Sequence, residues 1–184
     1  MPRRLLILRH AKSSWDSGAS TDFERPLAKR GKRDAPRMGH WLKQQHLKLD
    51  HVVSSPAERA RQTTLEVCKV LGVKKKRINW DDRIYDGYTQ QLLQVLADVP
   101  SRAETVMLVG HNPGLEELLT YLWGENTVIP PDGKLLPTAA VAQVELPEQW
   151  KDLQRGVARL VTLMRPKDIP ASCINYLPEN AFAL

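Results

Sequence analysis

The chain has 184 residues, of which 42% are hydrophobic, a length and composition that suit one globular domain with a real core. Its two cysteines, Cys68 and Cys173, stand far apart in no metal-like spacing, which argues against a disulfide scaffold or a cysteine–zinc site and fits a reducing cytoplasm. Lys and Arg number 27 against 21 Asp and Glu, a net charge of +6 that suits a nucleic acid, an anionic protein surface or a phosphate substrate, though no recognised nucleic-acid motif accompanies it.

The N-terminal segment holds only four apolar residues before Arg9, too short for a signal peptide, and no stretch is long enough to span a bilayer. A soluble, cytoplasmic protein without a membrane partner is the expectation. Leu5-Leu6-Ile7-Leu8 reads as a strand buried on both faces, ending abruptly at Arg9-His10-Ala11-Lys12. A polar stretch runs to about Pro26, and a helix follows over 33–45, with Met38, Trp41 and Leu42 on one side; Pro36 argues that it starts close to Asp34 or is kinked there. His51–Ser54 is a short strand. Ser55-Pro56-Ala57-Glu58 carries three helix-start signals, and that helix should run to Leu71, where Gly72 stops it.

The basic run Lys74–Arg77 reads as a solvated loop. Ile78–Trp80 is a third strand and 90–97 a helix. Val106-Met107-Leu108-Val109 forms a second fully apolar strand that runs into Gly110-His111-Asn112-Pro113-Gly114. Asn112 can cap the helix over 115–122, with Pro113 at its first position. Two strands, 139–146 and 157–163, close the pattern and should be antiparallel. Strands alternating with helices predict a three-layer α/β/α fold, a mostly parallel sheet with helices on both faces. The whole chain, 1–184, is expected to be one domain, with a tail from about 170 to 184 of uncertain order.

In open α/β sheets, ligands collect at the carboxyl ends of the strands. Three strand ends here deliver polar groups of one kind: Arg9 and His10; Ser54, Ser55 and Arg59; His111 and Asn112. If these strands are parallel neighbours, two arginines and two histidines converge on one small volume beside helix N-termini. Singly, each is more often a surface ion pair or a tight helix entry. Jointly they describe a phosphate site rather than a metal site, with no cofactor required.

Leu8-Arg9-His10-Ala11-Lys12 resembles the Arg-His-Gly signature of the histidine phosphatase superfamily, which includes the phosphoglycerate mutases. Ser55-Pro56-Ala57-Glu58-Arg59-Ala60, with Thr63 beyond, is similar to its second segment, and Val109-Gly110-His111-Asn112 to its third. Within the superfamily the chain is most similar to the short phosphohistidine phosphatases of the SixA group. That likeness rests on the Arg-His-Ala-Lys-Ser form of the first motif, on Asp22-Phe23-Glu24-Arg25-Pro26-Leu27, and on the compact spacing from Arg59 to His111. Ala11 departs from the superfamily's glycine, so backbone approach to phosphate is less free there.

The resemblance implies a phosphoglycerate mutase-like fold and a two-step reaction: phosphoryl transfer to His10, then hydrolysis of the phosphohistidine. Arg9, Arg59 and His111 would hold the phosphoryl oxygens. Arg25 is a further cationic ligand or an anchor for the loop before Pro26. Lys12 contacts phosphate or is solvated, and Asn112 and Ser55 complete the set of candidate phosphate ligands. The general acid is open between Asp22, Glu24 and Asp86, with Asp22 best matching the SixA-type segment. Three readings compete: a phosphatase acting on a histidine-phosphorylated signalling protein, a phosphatase or mutase for a small phosphate ester, and a non-catalytic module that binds phosphorylated or nucleic-acid ligands.

Overall fold

The computed structural model describes residues 2–173. Its strands are β1 (Arg3–Arg9), β2 (His51–Ser54), β3 (Ile78–Trp80), β4 (Thr105–Gly110), β5 (Val141–Leu146) and β6 (Arg159–Met164). The helices are α1 (Lys29–Gln44), α2 (Glu58–Leu71), α3 (Thr89–Ala97) and α4 (Gly114–Trp123). The sheet order is β3-β2-β4-β1-β5-β6. β3, β2, β4 and β1 are mutually parallel, while β5 runs antiparallel to both β1 and β6. The mostly parallel three-layer architecture predicted from the alternating elements is the one observed, and the last two strands are antiparallel as expected.

The central strands explain the layers. Leu5 and Ile7 of β1 pack with Leu92, Leu96, Leu115, Leu118 and Leu122 of α3 and α4. Leu6 and Leu8, pointing the opposite way along the pleat, pack with Met38 and Leu42 of α1 and Val67 of α2. Leu5 to Leu8 are all at most 1% exposed. Each such side chain contributes roughly 1.5–3 kcal/mol by burial, an upper estimate. A continuous apolar run is therefore what a strand covered on both faces requires.

Two helix starts differ from the sequence expectation. α1 begins at Lys29, four residues before Arg33, and Pro36 lies inside it. The early start is held by the Ala28 N–H donating to the Lys12 carbonyl at 2.9 Å, and Pro36 costs the helix a hydrogen bond without ending it. α2 begins only at Glu58. Ser55 Oγ accepts from the Ala57 N–H at 3.2 Å, which turns the chain before the helix rather than capping its interior. Of the expected tail, Ala171–Cys173 form a short 3-10 turn, and residues 174–184 lie outside the described residues.

Candidate active site

The parallel order β2-β4-β1 places the carboxyl ends of three strands side by side, so the polar residues that follow them meet. The register fixes the meeting point: Arg9 lies opposite Gly110, and Ser54 opposite Val109. His10, Arg59 and His111 are each less than 9% exposed, and the rings of His10 and His111 have centroids 5.0 Å apart.

His10 is held on both sides of its backbone, its N–H donating to the Gly110 carbonyl at 3.0 Å and its own carbonyl accepting from the Ala139 N–H at 3.1 Å. Its ring Nδ1 lies 2.8 Å from the Ala11 carbonyl. A carbonyl only accepts, so Nδ1 carries the proton and Nε2 keeps its lone pair. Arg59 Nε donates toward that Nε2 at 3.4 Å. Burial pushes the His10 imidazole down to about 3; the Ala11 bond works the other way, and Arg59, Arg9 and Arg25 depress it further. The ring is neutral at physiological pH.

Ala11, the departure from glycine, is fully buried, and its N–H donates to Thr63 Oγ1 at 2.9 Å. Thr63 in turn donates to the Arg59 carbonyl at 2.7 Å. This backbone N–H therefore ties the His10 segment to α2. Thr63 was visible in the sequence only as the end of a motif, and its bonding role was not legible there.

Arg59 projects from the first turn of α2. Its Nη1 donates to the Asp22 carbonyl at 2.6 Å and its Nη2 to Asp22 Oδ2 at 2.8 Å. Asp22 also accepts from Arg25 Nη1 at 2.6 Å and from the Tyr85 hydroxyl at 2.9 Å. Burial alone would raise the Asp22 carboxyl, but Arg25, Tyr85 and Arg59 together bring it down to about 2. Asp22 is thus a carboxylate that orients Arg59, and it has no proton to donate at neutral pH. Arg25 spends its nitrogens within the loop, on Asp22, the Ser14 carbonyl and Ser13 Oγ, and stacks 3.3 Å over Trp15. That placement is the loop-anchoring alternative.

His111 Nε2 lies 2.8 Å from Ser55 Oγ, while its Nδ1 is buried without a partner among the described residues. Burial pushes this imidazole to about 3 as well, with His10 and the arginines adding and Asp22 opposing. Ser55 therefore faces His111 directly. Arg9 donates from Nη1 to the Leu136 carbonyl at 3.0 Å, and its Nε is likewise buried without a partner among the described residues. Asn112 donates to the same carbonyl at 3.0 Å instead of capping α4. Glu116, which the sequence did not single out, accepts from the Leu136 N–H at 2.7 Å and completes this anchorage.

Lys12 is exposed, without an ion pair among the described residues. Of the remaining acids, Asp86 lines a cavity of about 140 Å³ beside His111, Tyr85 and Tyr88. Glu24 faces a different hollow, with Pro26 and Pro56. A larger cavity, about 740 Å³, lies around Arg3 and Trp150 at the opposite end of the strands and contains none of these groups. Tyr85 is the main site residue that sequence reasoning missed; it makes edge contacts to Phe23 and His111, and no motif marked it. Among the described residues, no three His, Cys, Asp or Glu side chains cluster as a metal site would need, and no helix is long and apolar enough to cross a membrane.

Residues 5–86 match the family model of the histidine phosphatase superfamily (branch 1). The chain is 30% identical over 164 residues to an uncharacterised protein of Mycobacterium tuberculosis, covering 87% of this chain and 100% of that one. It is 29% identical over 148 residues to the phosphohistidine phosphatase SixA of Escherichia coli, covering 79% of this chain and 86% of the relative. Among solved structures it is similar to the protein histidine phosphatase SixA complexed with tungstate, with a TM-score of 0.76, 25% identity, and coverage of 91% and 99% of the two chains.

Proposed function

Because the chain belongs to the histidine phosphatase superfamily, and is a phosphatase, we propose that it removes the phosphoryl group from phosphohistidine in a signalling protein, with His10 as the nucleophile. One observation carries this reading: Nδ1 of His10 is tied to the Ala11 carbonyl, so Nε2 presents a lone pair beside the Arg59 guanidinium. The SixA relative bound to tungstate supports it, since tungstate is a tetrahedral oxyanion like phosphate.

In the first step the Nε2 lone pair forms a bond to phosphorus while the bond from phosphorus to the substrate's imidazole nitrogen breaks. That electron pair returns to the leaving ring, which departs neutral when its other nitrogen is protonated. In the second step the oxygen of water bonds to phosphorus of phospho-His10, the P–Nε2 bond breaks with its electron pair returning to Nε2, and phosphate leaves carrying that oxygen and its protons, one of which it can lose to solvent. Arg59 and Arg9 balance the charge on the equatorial oxygens, and Nδ1 of His111 supplies a further donor when protonated.

The state of Asp22 bears on the substrate class. Asp22 is held ionised by Arg25, Tyr85 and Arg59, so it is a positioning residue for Arg59 and not a proton donor. An alkoxide leaving group needs a strong acid, whereas imidazole leaves without one. Asp86, on the cavity beside His111, is the other candidate acid, and the ionised Asp22 weighs toward a P–N bond over the P–O bond of a small ester. A cytoplasmic setting accompanies the reading, with Cys68 and Cys173 both buried and unpaired. Rates on a histidine-phosphorylated protein, a phosphoglycerate and an aryl phosphate test it. The proposal requires the first to lead in kcat/KM, and it fails if the phosphoglycerate does.

A further inference from the structure

α1 carries six cations, Lys29, Arg30, Lys32, Arg33, Arg37 and Lys43, against a single carboxylate, Asp34. Four of them fall in the first five residues, where the helix has no acidic residue and no side-chain cap. That arrangement opposes the helix macrodipole, which favours anions at this end, so folding gives no reason for it. Asp34 is 1% exposed and pairs with Arg30 at 3.2 Å, Arg33 at 3.1 Å and Arg37 at 3.7 Å. Lys29 and Lys32 have no ion-pair partner among the described residues, and both are exposed.

This basic surface adjoins the phosphate site. The Lys12 carbonyl, two residues from His10, accepts from the Ala28 N–H at 2.9 Å. A Cβ at Gly31 would come within 2.1 Å of that carbonyl oxygen, so the first turn of α1 lies directly on the His10 segment. Lys12 is itself exposed and extends the patch toward the pocket. The helix continues for 16 residues, about 24 Å at helical rise, longer than any small ligand in the pocket. The tryptophan of the helix, Trp41, is buried, so α1 itself offers no stacking surface for unpaired bases.

We propose that Lys12 and the cations at the start of α1 form a docking surface for an acidic protein segment flanking the phosphorylated residue, a proposal that rests on the phosphoprotein reading above. Complementary charge beside a catalytic pocket speeds encounter and selects partners, and salt screens both effects.

The test uses the full chain and peptides carrying a non-hydrolysable phosphohistidine analogue, flanked either by four glutamates or by four glutamines. Wild-type protein should bind the glutamate peptide about tenfold more tightly at low salt, and the preference should shrink at high salt. Lys29→Glu/Lys32→Glu should abolish the preference while leaving affinity for the glutamine peptide and hydrolysis of free phosphohistidine unchanged. Equal binding of the two peptides, or a preference that survives the double substitution, overturns the proposal. So does tighter, patch-dependent binding of a 20-nucleotide single-stranded DNA. If the cleavable phosphohistidine peptides are not hydrolysed but the flank preference appears and is lost in the variant, the docking surface stands and the phosphohistidine reading fails.

Discussion

Arg59 Nε points at Nε2 of His10 from 3.4 Å, while the two terminal nitrogens of the same guanidinium are held by Asp22 at 2.6 and 2.8 Å. The second relationship sets the first. Without Asp22, Arg59 would be a long side chain free to choose among rotamers, and its placement beside His10 would cost entropy at every binding event.

Asp22→Asn should therefore lower kcat/KM by about tenfold, mainly through KM, and leave the shape of the pH–rate profile unchanged. A general acid behaves differently, since its loss costs roughly 10²–10⁴-fold in kcat and removes the basic limb of the profile. Steady-state kinetics across pH 5–9 distinguish the two roles, and disappearance of the basic limb would return Asp22 to the position of acid.

Ser55 is fully buried against His111. Ser55→Ala leaves Nε2 of that ring without a partner and should destabilise the fold by about 1–3 kcal/mol, with a loss of about tenfold in kcat/KM. Urea denaturation and kinetics on the same preparation check both. Unchanged kinetics would show that the serine does not orient the ring.

The buried histidines make stability depend on pH. His10 and His111 titrate near 3 in the folded chain against 6.5 for an unperturbed ring. Between those values the unfolded chain binds more protons, so stability rises with pH there. It is complete above pH 6.5 and falls on acidification, by up to about 1.4 kcal/mol per pH unit for each ring. Denaturation midpoints at pH 7.5 and 5.0 should differ accordingly, and His10→Asn should reduce the difference. Identical midpoints would contradict neutral, buried rings.

Gly31 lets α1 lie against the His10 segment, since a Cβ at this position would sit 2.1 Å from the Lys12 carbonyl oxygen. Gly31→Ala should cost about 1–3 kcal/mol by overpacking, although alanine is the better helix former. Thermal unfolding measures it, and a stabilised variant would mean that the helix start shifts freely.

Much of this was legible in the sequence, for identifiable reasons. β1 and β4 were readable because strands covered on both faces need unbroken apolar runs, and Leu5–Leu8 and Val106–Val109 have them. The gathering of Arg9, His10, Arg59 and His111 followed from strand ends pointing one way in a parallel sheet. What escaped depends on contacts distant in sequence. Tyr85 reaches Asp22 across 63 positions and Thr63 reaches Ala11 across 52, and no local pattern announces either bond. The start of α1 was misplaced because Pro36 reads as a boundary, whereas the anchoring Lys12 carbonyl that overrides it lies well outside the helix.

Trapping the intermediate tests the central claim most directly. Brief incubation of the full chain with a ³²P-labelled phosphoramidate, quenched in alkali, should leave acid-labile, alkali-stable label in the peptide containing His10. His10→Ala should carry no label and turn over at least about 10³-fold more slowly. Wild-type turnover by His10→Ala, or label on any other residue, would contradict the account.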